Sequence, residues 1–175
     1  MAVPGNETRP TSDKVKEALF SMIGPYFAGG EALDLFAGTG ALGIEAISRG
    51  IERVVFVDVN KRSIETIRHN LQMCGIDDVA EIYRCDASQG LRALAKRGRK
   101  FDLIFLDPPY RMKEMSDILE FMELKAIVKH LATVVIEHEA TYHYPETIGK
   151  FSLRRRSNYG LTALSVYKYN DEREE

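Results

Sequence analysis

The four residues "DPPY" at 107–110 follow the apolar run "FDLIFL". They pair a carboxylate with two residues that cannot donate a backbone hydrogen bond, so neither a continuing strand nor an ordinary helical turn accounts for them. Asp107 offers a carboxylate and Pro108 a carbonyl, while Pro108 and Pro109 restrict the backbone that carries them. Two acceptors held in place suit a planar exocyclic amine. Its lone pair is delocalised until both hydrogens are bound and the nitrogen is free to pyramidalise, so the pair acts by preorganised electrostatics rather than as a strong base. Tyr110 adds a ring face on which a base could stack, and Arg111 and Lys113 follow directly, where they would meet an incoming backbone.

A second group of residues lies upstream in "DLFAGTGALG". Gly38, Gly40 and Gly43 satisfy G-x-G-x-x-G, and Asp58 closes the next apolar run at the spacing of a ribose-binding acid. A tight strand-to-helix turn would need the same glycines for steric reasons alone. Between the functional readings, charge decides. A dinucleotide brings phosphates that Asp34, beneath the turn, would oppose, whereas S-adenosylmethionine brings a sulfonium and an ammonium that carboxylates attract. Asp34, Asp58, Asp86 and Asp107 each stand at or near the end of one of four successive apolar runs.

The elements that must position these residues alternate. A helix capped by Ser12 or Asp13 is expected to run to Gly24, with Val15, Ala18, Leu19, Met22 and Ile23 on one face. Strands are expected at 32–36, 53–58, 80–85, 101–107 and 133–138, and helices at about 40–49, 60–73, 87–97 and 114–129. Runs apolar on both faces, separated by amphipathic stretches, predict a parallel sheet covered on both sides. "KFSLRRRS" and "LTALSVYKY", joined through "NYG", predict a terminal antiparallel hairpin. The expected architecture is α/β and doubly wound, with a seven-stranded, mostly parallel sheet. It forms one domain: an N-terminal segment and helix over 1–30 and the core over 31–175. In such a sheet, ligands bind beyond the carboxyl ends of the strands, where strand order reverses.

Composition narrows the function. The chain has 175 residues, 45% hydrophobic and 29% charged, with a net charge of −2, so global electrostatics would not hold it to nucleic acid. The basic clusters at 96–100, 111–113 and 154–156, with Arg9, Lys14 and Lys16, leave room for local contacts; most such clusters are solvated faces. Cys74 and Cys85 read as buried free thiols of a reducing compartment, and neither they nor His69, His130, His138 and His143 show metal-ligand spacing. Glu137 and His138 end the fifth strand near the site without a motif of their own. A cytoplasmic protein with no metal and no membrane partner is expected.

"LDLFAGTGALGIEA", "VVFVDVN", "CDA" at 85–87 and "LDPPY" resemble the successive motifs of class I amino-methyltransferases. With "RPTSDKVKEALF" at the front and "NYGLTAL" near the end, the chain closely resembles the RsmD-like family, over nearly its whole length. The resemblance implies a Rossmann-like methyltransferase fold, S-adenosylmethionine as cofactor, and methylation of a guanine N2 in bacterial 16S ribosomal RNA or an assembling small subunit. It also implies roles. Asp34 and the loop Phe36, Ala37, Gly38, Thr39 and Gly40 would cradle the methionine part. Asp58 would hold the ribose hydroxyls and Asp86 the adenine amine, with Val59, Ala87 and Asp107 also at the cofactor, and Asp107 to Tyr110 would receive the target base. The chain opens at "MAVPGNETRPT" without the basic glycine-containing stretch that family members carry at the front, so weaker RNA binding beside an intact cofactor site is expected. A methyltransferase acting on a DNA adenine or cytosine, or a non-catalytic RNA-binding module, are the alternatives.

Overall fold

A computed structural model describes residues 12–109 and 115–172. Helix α1, Asp13–Ile23, begins where the sequence signals it: the Ser12 side chain accepts a hydrogen bond from the Val15 N–H at 3.3 Å. It buries Leu19 and Phe20 and stops at Gly24. Strands and helices then alternate. In order they are β1 Glu31–Asp34 with α2 Ala41–Ser48, β2 Arg53–Asp58 with α3 Lys61–Cys74, β3 Ala80–Arg84 with α4 Ala87–Lys96, β4 Phe101–Leu106 with α5 Ser116–Leu124, and then β5 Val128–Glu139. Strands β6 Thr147–Ile148, β7 Phe151–Tyr159 and β8 Thr162–Tyr169 complete the described chain.

The strands form one sheet in the order β3-β2-β1-β4-β5-β8-β7-β6. β1 to β5 pair in parallel, while β8 runs antiparallel between β5 and β7. Alternation along each strand sorts the core into two layers. Leu33, Val55, Ile104 and Val134 face α4 and α5, where they meet Leu91, Leu94, Leu119 and Met122. Ala32, Val54, Phe56, Phe105 and Val135 face the other way, onto Leu19 and Phe20 of α1, Leu42 and Ala46 of α2, and Ile67 and Leu71 of α3. Fully burying a side chain such as Phe20 stabilises the fold by about 1.5–3 kcal/mol. The sheet is therefore doubly wound, as the apolar runs predicted.

The largest departures from the sequence reading lie in the second half of the chain. Among the described residues the sheet has eight strands rather than seven, because Thr147 and Ile148 pair with Ser152 and Phe151 in a two-residue edge. So short a strand has no period to read. The expected helix over 114–129 contracts to Ser116–Leu124, and β5 begins at Val128 rather than 133. The early part of β5 is irregular: Leu131 has φ 63°, and the β4–β5 register shifts between Phe101 and Leu103. That irregularity erases the two-residue alternation which would have marked a strand.

Strand order reverses between β1 and β4. The chain leaves β1 outward through β2 and β3, then returns to build β4 and β5 on the other side, so the loops after β1 and β4 part and leave a crevice.

Candidate active site

The glycine turn fills the β1 side of this crevice. Gly38 has φ 58°, in the left-handed region, and a Cβ there would meet nothing within 4 Å, so this backbone lies open to an approaching ligand. Gly43 serves packing instead: a Cβ would stand 2.4 Å from the Phe56 ring, so only glycine lets α2 rest on β2.

Carboxylates pin the turn. The Gly38 N–H donates to Asp58 Oδ2 at 2.9 Å, and the Asn60 N–H donates to Asp58 Oδ1 at 2.8 Å. One side chain therefore ties the turn after β1 to the end of β2. The Gly43 N–H donates to Asp34 Oδ2 at 3.2 Å. The Thr39 carbonyl accepts from Asn70 Nδ2 at 3.1 Å, which fixes the turn's far side to α3.

Asp34 is buried at 1% exposure, and burial pushes its carboxyl up to about 8, with the Asp58 charge adding and the Gly43 bond opposing. Because this value lies above the 3.8 of a free aspartate, the stability Asp34 contributes is present at acid pH and is lost as pH rises through about 8. Asp34→Asn, neutral throughout, is expected to melt at higher temperature than the parent above that pH, by an equivalent of roughly 1–3 kcal/mol. Thermal melts of both proteins from about pH 5 to about pH 9 check this; parallel pH profiles would show that the carboxyl ionises freely in the fold.

Beyond β2, Val59 is 63% exposed beside Asp58. After β3, Asp86 is exposed and caps α4: its Oδ1 accepts from the Gln89 N–H at 2.7 Å, in a reciprocal capping box with Gln89. Ala87 is half-buried next to it, as are Phe36 and Thr39 on the glycine turn, whereas Ala37 is buried.

On the β4 side, Asp107, Pro108 and Pro109 are half-buried at the end of the strand. The Asp107 carboxyl is hydrogen-bonded to Glu137 and is raised well above the usual carboxylate range, by burial first and then by the neighbouring charges of Glu137 and Asp34. Leu106 pairs with Ile136 across β4 and β5, so the next residues, Asp107 and Glu137, share a side of the sheet. Sequence reasoning gave Glu137 no role; the signal was parity, since it stands two residues from Val135 as Asp107 stands two from Phe105. Tyr110, Arg111 and Lys113 lie outside the described residues.

The basic clusters at 96–100 and 154–156 are partly engaged internally. Arg97 Nη1 donates to the Tyr83 hydroxyl at 2.7 Å, Arg99 reaches Glu81 at 2.9 Å, and Arg156 Nη2 donates to the carbonyls of Ala140 and Tyr142 at 2.6 and 3.2 Å. Cys74, expected buried, is exposed at the end of α3, and Cys85 is half-buried. Among the described residues, no cluster of histidine, cysteine or carboxylate side chains could hold a metal ion.

The donor set suits a cationic adenosine ligand. Open glycine backbone lies beside a carboxylate that can meet a diol, with buried carboxyls beneath it that can balance a sulfonium and an ammonium. Together, the doubly wound sheet with its antiparallel β8 and the acid-lined crevice define a protein of the S-adenosylmethionine-dependent methyltransferase class. The fold is shared, at 14% identity and a TM-score of 0.70, with an RNA methyltransferase from Salinibacter ruber solved with S-adenosyl-L-homocysteine. The chain belongs to the family described as Conserved hypothetical protein 95, the RsmD family, whose model matches residues 1–168. It is 46% identical over 167 residues to YlbH of Bacillus subtilis, a protein provisionally named as an rRNA methyltransferase, covering 95% of this chain and 91% of that one. It is 34% identical over 164 residues to ribosomal RNA small subunit methyltransferase D of Haemophilus influenzae, covering 91% and 82%. The structure of yhhF from Escherichia coli, provisionally described as a methyltransferase, superposes with a TM-score of 0.81 at 25% identity, covering 98% of this chain and 99% of that one.

Proposed function

We propose that this protein transfers a methyl group from S-adenosylmethionine to the exocyclic N2 amine of a guanine in 16S ribosomal RNA, free or within an assembling small subunit. The observation that carries the reading is the placement of Asp107, Pro108 and Pro109 across the switch point from the glycine turn. The relatives named as small-subunit rRNA methyltransferases supply the substrate class.

When bound, S-adenosylmethionine supplies a methyl group on a positively charged sulfur, open to attack by a nitrogen lone pair. Asp34 and the segment Phe36 to Gly40 hold the methionine end, whose positive charge would favour ionisation of the Asp34 carboxyl that burial keeps protonated in the free protein. Asp58 meets the ribose hydroxyls with the lone pairs left over from Gly38 and Asn60, while Val59 covers an adenine face and Asp86, with Ala87, meets the adenine edge. Asp107 and the Pro108 carbonyl take the two hydrogens of the target amine. In that geometry the nitrogen lone pair would be free to take the methyl group, the C–S bond breaking as the N–C bond forms; the Asp107 charge would stabilise the positive charge that develops on nitrogen, and the surplus amine proton would pass to water.

The test is methyl transfer from labelled S-adenosylmethionine to small-subunit RNA and to small-subunit particles, followed by nucleoside mass spectrometry. N2-methylguanosine is the expected product. A methylated adenosine or cytidine would overturn the guanine assignment, and binding of RNA without transfer to either substrate would return the chain to the role of a binding module.

A further inference from the structure

Three carboxyls stand on one side of the sheet at the rim of the crevice. Asp34 alternates with Ala32, Asp107 with Phe105 and Glu137 with Val135, and all three of those apolar neighbours belong to the layer under α1 and α2. Asp34 comes from β1, Asp107 follows β4, and Glu137 lies on β5, where β8 sets Leu164 against it. The next residue, His138, turns to the other layer: its ring nitrogens meet Ser165 Oγ at 2.8 Å and the Glu139 carbonyl at 2.9 Å, so it takes no part.

Leu106 pairs with Ile136 on neighbouring parallel strands, so Asp107 and Glu137 follow side by side on one face, where their carboxyls can share a hydrogen bond. A hydrogen bond between two carboxyls requires a proton, because two carboxylates offer four acceptors and no donor. A pair so bonded holds one proton and one negative charge. If Asp107 is to accept from a substrate amine, it must be the ionised member, and the proton must sit on Glu137.

We propose that Glu137 is a positioning residue for Asp107: it carries the shared proton and donates it to one Asp107 oxygen, leaving the other oxygen aimed at the target amine. This rests on the reading that Asp107 receives that amine. The pair then works in one protonation state. A second proton silences Asp107, and loss of the shared proton sets two negative charges against each other and breaks the alignment. Burial and the nearby Asp34 carboxyl hold the shared proton well into the range where single carboxyls are ionised, so the loss belongs to the alkaline side of the profile.

Glu137→Gln and Glu137→Ala separate this from a structural role. The amide of Glu137→Gln is a permanent neutral donor of nearly the same shape as the protonated acid. That variant is expected to keep kcat within about threefold of the parent at neutral pH while the alkaline fall of kcat disappears. Glu137→Ala should lower kcat about tenfold or more, with binding of S-adenosylhomocysteine unchanged. Difference infrared spectroscopy of the free proteins near neutral pH needs no substrate: the parent should show one more protonated-carboxyl band than Glu137→Gln, with the Asp34 band common to both. Equal slowing by both substitutions with an unmoved pH profile, or no change in the carboxyl bands, would overturn the proposal. Normal turnover by Glu137→Ala beside an inactive Asp107→Ala overturns the role of Glu137 alone. Normal turnover by Asp107→Ala overturns the reading beneath it.

Discussion

Asp107→Ala is expected to lower turnover by roughly 10²–10³ while leaving affinity for S-adenosylhomocysteine nearly unchanged. The separation follows from position. Asp107 stands across the crevice from the glycine turn and bonds to Glu137 rather than to any backbone group of that turn, so its removal leaves the cofactor's supports in place. Its acceptor is needed most as charge builds on the amine nitrogen, which puts the loss in kcat. Removing one of a group of crowded acids also relieves repulsion, so the variant should fold at least as stably as the parent. Methyl transfer to small-subunit RNA, with calorimetry of cofactor binding in parallel, measures both quantities. A folded Asp107→Ala protein with near-normal turnover would reduce the two prolines and their acid to a rigid turn.

Asp58→Ala should act on the opposite quantity, weakening S-adenosylmethionine and S-adenosylhomocysteine alike by about 1–3 kcal/mol. Two losses combine. The ribose hydroxyls lose their acceptor, and the Gly38 and Asn60 N–H groups lose theirs, so the turn is no longer fixed to the end of β2. Asp58→Asn keeps one acceptor oxygen and should recover part of the affinity. Asp86→Ala provides the contrast, because its first structural duty is the α4 cap: it should lower the melting temperature by the equivalent of about 1 kcal/mol. Titration calorimetry on the three variants decides, and undiminished binding by Asp58→Ala would place the adenosine elsewhere.

What the sequence disclosed was local in the chain. The glycine turn, the acid ending β2 and the "DPPY" segment each lie within a few residues of a strand end, where spacing alone specifies geometry. The layering was equally plain, since apolar residues alternate between the two layers along β1, β2 and the stretch of β4 from Leu103 to Leu106. The role of Glu137 was hidden for the converse reason: its partner is distant along the chain, and only the β4–β5 register brings the two together. A charge run conveys sign and not destination, so nothing in "RRR" announced that Arg156 would clamp the carbonyls of Ala140 and Tyr142. Cys74 was read from the habit of its residue type and shares the helical period of Ile67 and Leu71, yet it is the last residue of α3 and is exposed there.

The sheet order has a consequence for how the molecule can be taken apart. Everything up to the turn at Gly98 builds β1, β2 and β3 on one side of the β1–β4 seam, and everything after it builds β4 to β8 on the other. The polypeptide crosses that seam once, so the acids at Asp34, Asp58 and Asp86 travel on one contiguous piece and Asp107 with Glu137 on the other. Two fragments divided at Gly98 would each carry an intact run of neighbouring strands and would meet along β1, β4 and the α1 residues Leu19 and Phe20 that pack beside Phe105. Co-expressed, such fragments are expected to regain methyl transfer only when both are present, which would make the pair a split reporter; activity from either fragment alone would refute this.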